Sequence, residues 1–511
     1  MSVVTRIAPS PTGDPHVGTA YIGLFNYVFA KQQGGKFILR IEDTDRERYQ
    51  AASEVRILEM MHWLGLEPDE SPVKGGPHGP YRQSERLDIY RRHADMLLDS
   101  GHLYRAFETP AELEAIREEL RRRGHTPGYD GRARTLARAV ADHRAAAGEP
   151  FVLRLKIPRQ GDIIFHDRLR GEIRIHESEV FDAVMVKSDG HPTYHFANVV
   201  DDYLMGVTHV IRAEEWISST PLHVVLYDAF GWPRPEFIHL PLLRNPDKSK
   251  ISKRKLDTSV DSYREQGILP EALLNFLANM GWSMPDGREF FSLSDMIRHF
   301  SFERISLGGP VFDLKKLRFF NAKYLRDLLP LEQVAERAKP FLAAAGCQWD
   351  DEDYLLDVID VLRPRVETLS EFAQHAYFFR EEFPYDAEAR KKLASGQKYL
   401  EDLERELSRL DFFDHDAIEE ALRDYVQSQA VKMGEVMMPL RAALSGTLTT
   451  PSVTDLCVIL GKHRVLTRIG RALTELQSAL PDDNPRPEEA RPPLVAPVSP
   501  QKLGGTKGGC R

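Results

Sequence analysis

The sequence predicts a multidomain α/β protein: a Rossmann-type parallel-sheet domain carrying an insertion, followed by an all-helical C-terminal half. Three observations carry this. The first 45 residues read as strand, loop, helix, strand. A matching strand and helix return near residues 192–250, and beyond residue 268 the strand signals fade into apolar residues three and four apart. At 511 residues the chain is too long for one core and suggests about three domains or more.

Val3–Ala8 is a short β-prone run, and Pro9 to Gly18, with three prolines and two glycines, must be loop. Tyr21, Leu24, Phe25, Val28 and Phe29 then recur at helical spacing until Gly34-Gly35 stops the helix, and Phe37–Ile41 is a second strand. Such a β–loop–α–β unit seeds a parallel sheet and places its ligand beyond the strands' carboxyl ends. A helix capped by Ser84 and stopped by Gly101 precedes the insertion, whose strand-like runs are Phe151–Ile157 and Glu172–Ile175. The sheet resumes at Val207–Ile211, followed by a helix capped by Ser218 or Ser219, with Pro221 in its first turn and Gly231 at its end. From about residue 330 to 478 the pattern is helical, punctuated at Pro330, Gly346, Pro364, Pro384 and Gly396. The tail from Leu480 is rich in Pro, Gly and charge and is predicted to be disordered. The predicted divisions are therefore 1–102 and 191–250 for the two halves of the sheet domain, 103–190 for the insertion and 251–328 for a connecting domain. Two helical bundles, 329–382 and 383–479, and the tail 480–511 follow.

With 42 % hydrophobic and 28 % charged residues the composition is that of an ordinary soluble protein. No apolar run approaches the roughly 20 residues of a spanning helix, the N-terminus lacks the order of a signal peptide, and a cytoplasmic protein with no membrane partner is expected. Cys347, Cys457 and Cys510 form neither a disulfide framework nor a zinc pattern. The 68 Lys and Arg against 77 Asp and Glu give a net charge of −9, which taken as an average argues against a nucleic-acid partner. Segment by segment the picture changes. Residues 103–174 carry 15 bases and 11 acids, whereas 350–360 hold −6 and 401–425 hold −7, leaving +4 over everything else.

Two constellations carry chemistry. Pro9-Ser10-Pro11-Thr12-Gly13-Asp14-Pro15-His16-Val17-Gly18-Thr19 is a rigid loop feeding a helix whose first amides should point outward, a phosphate site. His16 and Thr12 or Thr19 add donors, and Gly18 allows close backbone approach. Read alone, this loop is as readily an ordinary Pro/Gly connection. The second is Lys248-Ser249-Lys250-Ile251-Ser252-Lys253-Arg254-Lys255, after Leu240-Pro241-Leu242-Leu243; its ammoniums can neutralise a triphosphate and its leaving pyrophosphate. Read alone, it is as readily a solvated basic loop.

Together, in the two halves of one α/β sheet, His16-Val17-Gly18-Thr19 and Lys250-Ile251-Ser252-Lys253-Arg254 resemble the paired motifs of class I aminoacyl-tRNA synthetases. Arg6-Ile7-Ala8-Pro9-Ser10-Pro11-Thr12-Gly13, Ile41-Glu42-Asp43-Thr44-Asp45, Tyr81-Arg82-Gln83-Ser84-Glu85-Arg86, Tyr194 through Asp202 and Arg212-Ala213-Glu214-Glu215-Trp216 are similar to the bacterial glutamyl-tRNA synthetase pattern, over residues 3–475. The resemblance implies activation of L-glutamate by ATP with Mg²⁺ and its transfer to tRNA(Glu), with tRNA bound first. It implies an acceptor-end role for the insertion and anticodon reading by the helical half. It places His16, Gly18, Thr19, Lys250, Ser252 and Lys253 in catalysis. Arg6, Ala8, Ser10, Glu42, Tyr194, Asn198 and Arg212 fall to the amino acid. ATP falls to Thr12, His16, Gly18, Glu215, Leu243, Lys250, Ile251 and Lys253.

Substrate chemistry agrees, since glutamate's two carboxylates and one ammonium ask for about two cations and one fixed acid. Arg363-Pro364-Arg365 is similar to the family segment in which an arginine reads the third anticodon base, the pattern of enzymes that charge only the glutamate tRNA. Alternatives left open are a non-discriminating glutamyl enzyme and a catalytically silent tRNA-binding paralogue. Glutaminyl-tRNA synthetases are disfavoured by Arg212 and by the helical C-terminal half. Some relatives hold zinc in the insertion; Tyr104-Arg105-Ala106-Phe107 and its surroundings contain no cysteine, so no zinc is expected. A monomer is expected.

Overall fold

The computed structural model describes residues 2–45, 48–124, 128–159, 161–251 and 258–478. They fall into two compact units, the first ending at Arg380 and the second starting at Glu381. Ser252, Lys253 and Cys510, and the tail expected from Leu480, lie outside the described residues. No helix among the described residues is long and apolar enough to cross a membrane.

The first unit is built on parallel strands. β1 (Val4–Ile7) and β2 (Lys36–Leu39) pair in parallel across the helix Val17–Gln32. The chain then adds β3 (Leu103–Ala106), β4 (Val152–Leu155), β5 (Asp162–Asp167), β6 (Gly171–His176) and β7 (Val184–Val186) before β8 (His209–Ala213) and β9 (Glu236–Leu240). One sheet has the order β6-β5-β9-β8, with β5, β9 and β8 parallel; another has the order β3-β4-β7. Thr208 N–H donates to the Val4 carbonyl at 3.0 Å, seating β1 beside β8. The strands bury both faces, which is why they read as continuous apolar runs. Phe37, Leu39, Ile211 and Ile238 pack on one side with Leu24, Phe25 and Val28. Ile38, Val210 and Phe237 pack on the other with Phe196, Val199 and Leu226.

Two expectations need correction. Residues 103–190 are not one inserted body: β5 and β6 join the sheet of β8 and β9, while β3, β4 and β7 stand apart. β5 alternates buried Ile163, Phe165 and Asp167 with exposed residues, and the inward Asp167 hides it from an apolar reading. Ser84 does not cap the helix Leu87–Asp99; its amide and hydroxyl donate to Asp43 at 2.8 and 2.5 Å. The punctuation expected at Gly396 is present: Ala387–Ser408 is two helical segments joined across a kink at this non-helical residue, where a Cβ would lie 2.1 Å from Pro439 of the helix Met433–Ser445.

In the insertion, the Asp182 carboxylate accepts from three groups, with the Arg159 guanidinium 3.9 Å away. Tyr104 OH donates to it at 2.6 Å, Arg134 at 3.1 Å and the Ile157 amide at 3.1 Å. The Arg154 guanidinium lies 3.7 Å from the Tyr129 ring centroid. The second unit consists of the helices Ala387–Ser408, His415–Ser428, Met433–Ser445 and Val453–Ser478, the first burying Leu393, Leu400, Leu403 and Leu407 at helical spacing.

Candidate active site

The carboxyl ends of β1, β8 and β9 open on a cavity of about 480 Å³, as the topology of a parallel sheet requires. It brings together Arg6, Ala8, Ser10, His16, Gly18, Thr19, Glu42, Tyr194, Asn198, Arg212, Glu215, Leu243, Lys250 and Ile251, all singled out from the sequence. Thr12 does not line it.

His16 is the N-cap of the helix Val17–Gln32, and its Nδ1 accepts from the Gly18 amide at 2.9 Å. With Nδ1 accepting, the ring is neutral and its proton sits on Nε2. A Cβ on Gly18 would lie 3.0 Å from that same Nδ1, so glycine is what lets the ring fold back. Val17 N–H donates to the Thr258 carbonyl at 2.8 Å and Thr19 N–H to the His16 carbonyl at 2.7 Å. The first amides of the helix are therefore engaged, which corrects the expectation that they receive phosphate. Val260 N–H also donates to the Pro15 carbonyl at 3.0 Å. Residues far apart in the sequence are thus knitted together, the first motif with the residues that follow the second.

The two predicted arginines are held differently. Arg6, only 4 % exposed, gives its Nε to Asp202 at 3.1 Å. Asp202 also takes Arg40 Nη1 at 2.8 Å, and Arg40 Nη2 reaches Glu42 at 3.2 Å. Although burial opposes it, Arg6 and Arg40 hold the Asp202 carboxyl below the usual range. Burial raises the pKa of Glu42 against the pull of Arg40 and Arg6. Asn198 Nδ2 lies 3.5 Å from Glu42 Oε1.

Arg212, also 4 % exposed, has no such carboxylate contact among the described residues. Its Nε donates to His239 Nε2 at 3.1 Å, its Nη1 meets His223 Nδ1 at 3.2 Å, and its Nη2 donates to Thr220 Oγ1 at 2.8 Å and the Trp216 carbonyl at 3.5 Å. Every one of these acceptors is uncharged. His239 Nδ1 faces Asp167 at 2.7 Å, and His223 Nε2 faces His195 Nδ1 at 3.1 Å. Burial, with the Arg212 charge adding to it, pushes His195 down to about 4. Burial outweighs the Asp167 hydrogen bond and takes His239 to about 4, and His223 lies well below the ordinary imidazole range for the same reason, burial first and Arg212 second.

Lys250 forms an ion pair with Glu215, and Ile251 is buried. Arg363 ends the helix Glu352–Leu362 and pairs with Asp360 at 2.8 Å, whereas Arg365 is exposed. Sequence reasoning missed Asp202, Arg40, Asp167, His195, His223 and His239. The signal for Asp202 was present, since two adjacent acids interrupt an otherwise apolar helix face in Asn198 to Leu204. Among the described residues no group of three or more His, Cys, Asp or Glu side chains converges as a metal site.

Residues 2–319 match the catalytic domain of tRNA synthetases class I (E and Q), and residues 333–473 match an anticodon binding domain. The chain belongs to the class I tRNA synthetases (E and Q). This synthetase is 57 % identical to a glutamate–tRNA ligase of Thermus thermophilus, over 92 % of the chain and 100 % of the relative. It is 52 % identical to a glutamate–tRNA ligase of Deinococcus radiodurans, over 92 % of the chain and 98 % of the relative. The crystal structure of a glutamate tRNA ligase from Elizabethkingia meningosepticum in complex with its amino acid superimposes on the synthetase with a TM-score of 0.84. That match has 38 % identity and covers 93 % of this chain and 100 % of that one.

Proposed function

We propose that this synthetase is a glutamate–tRNA ligase, which activates L-glutamate with ATP and transfers it to the 3′ end of tRNA(Glu). The observation that carries the reading is Arg212, a buried guanidinium with only uncharged acceptors, facing a cavity that also holds Arg6 and Glu42. A buried cation without a counter-charge is costly until an anion arrives. We assign the substrate's side-chain carboxylate to Arg212, because an uncompensated charge is what separates a carboxylate from glutamine's amide. Arg6 supplies the second cation and Glu42 the acid for the ammonium.

The α-carboxylate oxygen attacks the α-phosphorus of ATP and the bond to pyrophosphate breaks, giving glutamyl-adenylate. The terminal ribose hydroxyl of tRNA then attacks the activated carbonyl and AMP leaves. His16 Nε2–H donates to the phosphates, and Lys250 with Lys253 neutralises the departing pyrophosphate. Mg²⁺ enters with ATP, held chiefly by phosphate oxygens. The anticodon contact is assigned to Arg365, which is exposed while Arg363 is tied to Asp360; on this assignment tRNA(Gln) is rejected. The enzyme acts as a monomer in the cytoplasm and carries no structural zinc.

Arg212→Ala and Arg6→Ala are expected to lower tRNA-dependent ATP–pyrophosphate exchange by about 100-fold or more, with tRNA affinity within about twofold. Equal loss of both in exchange and filter-binding assays overturns the assignment. Labelled glutamate offered with purified glutamate and glutamine tRNAs tests product and anticodon choice together.

A further inference from the structure

The geometry points to His223 and His239 as positioning residues that set glutamate over glutamine, by holding Arg212 through uncharged lone pairs and so leaving its charge to the substrate. This deepens the assignment of the side-chain carboxylate to Arg212 and rests on it.

Arg212 is faced from every side. β9 contributes His239, and the helix Thr220–Phe230 contributes Thr220 and His223. The turn Glu214–Ser219 gives the Trp216 carbonyl, the helix Tyr194–Leu204 gives Tyr194, His195 and Asp202, and β1 gives Arg6. Asp202 is the one anion of this set, and Arg6 and Arg40 already hold it. Asp167 stands one imidazole away. Its carboxylate accepts from the amides of Leu169, Arg170 and His239, all at 3.0 Å, and from His239 Nδ1 at 2.7 Å. That contact puts the His239 proton on Nδ1, so Nε2 presents a lone pair to Arg212. His223 does the same through Nδ1, and its Nε2–H is donated on to His195.

A carboxylate in place of either ring would satisfy the same N–H groups and also cancel the charge. Glutamate would then gain little and glutamine would lose little. Imidazole supplies direction without compensation, so an amide in the pocket leaves a buried cation unmatched.

The test is tRNA-dependent ATP–pyrophosphate exchange by the full chain, with L-glutamate and L-glutamine as probes. His223→Glu is expected to raise the KM for glutamate and lower the glutamate-over-glutamine preference, each by about tenfold or more, while the KM for ATP moves less than about threefold. His239→Asn, which keeps the reach to Asp167 and loses the acceptor for Arg212, is expected to lower the preference by about tenfold; His239→Gln, which keeps the acceptor, recovers about half of that loss on a logarithmic scale. If His223→Glu does not fold by thermal unfolding, the Asn and Gln contrast at 239 decides. Preferences of folded His223→Glu and His239→Asn within about threefold of the parent overturn the role of the histidines. Glutamate activation left intact by Arg212→Ala overturns instead the assignment beneath it.

Discussion

His16 and Gly18 show how little freedom a single residue has here. Because a Cβ at position 18 would press on the His16 ring, Gly18→Ala should turn that ring off its amide and slow adenylate formation by about tenfold or more, as loss of one aimed donor does. The KM for glutamate should stay within about threefold, since other elements build that pocket; stopped-flow or exchange kinetics will separate the two. The buried histidines set a pH response. His195 and His239 sit at about 4, below the ordinary 6.5, so the unfolded chain takes up their protons first as pH falls. Stability is fully present above 6.5 and is lost as pH drops toward 4, by as much as about 3 kcal/mol per histidine. Urea midpoints measured from pH 7 to pH 4 should fall over that window, and His195→Asn should flatten the decline. The charged residues at strand ends, Arg6, Glu42 and Arg212, were legible in the sequence because a parallel sheet aims them at its ligand. The histidines were not, since a ring's tautomer depends on partners that only the folded chain supplies.

Elements show the same division. The strand–loop–helix–strand opening and the helical C-terminal half were legible from periodicity. β5 was not, because its alternation ends on a buried aspartate; Gly396 was legible as punctuation, but the Pro439 that occupies the place of its side chain belongs to another helix. Around β3 and β4, Asp182 binds a tyrosine, an arginine and a backbone amide. Such a carboxylate cross-links three segments as a bound metal would. Asp182→Ala should therefore cost about 3 kcal/mol and speed hydrogen exchange in β3 and β4, because it strands the partly buried Arg134. Unchanged exchange there would show that the cross-link carries no load.

At the scale of the whole molecule, the net charge of −9 conceals a basic insertion and two acidic helical stretches. In each of the two stretches most of the acids are exposed, and acid held at a surface repels polyanions. Replacing the acids of residues 401–425 with their amides should raise affinity for unrelated RNA by about tenfold at low salt and steepen its salt dependence, read by filter binding. The length, which suggested more than one core, accords with separate catalytic and anticodon-binding regions.

The position of β5 bears on how these regions can be exchanged. The strand leaves the insertion to lie beside β9, and the aspartate at its end reaches Arg212 through one imidazole. A chimera that transplants residues 103–190 from a relative therefore carries over part of the wall behind Arg212 and its cavity as well. Donor sequence that ends before Asp162 keeps the recipient's own backing for Arg212, and donor sequence that runs past Asp167 imports the donor's.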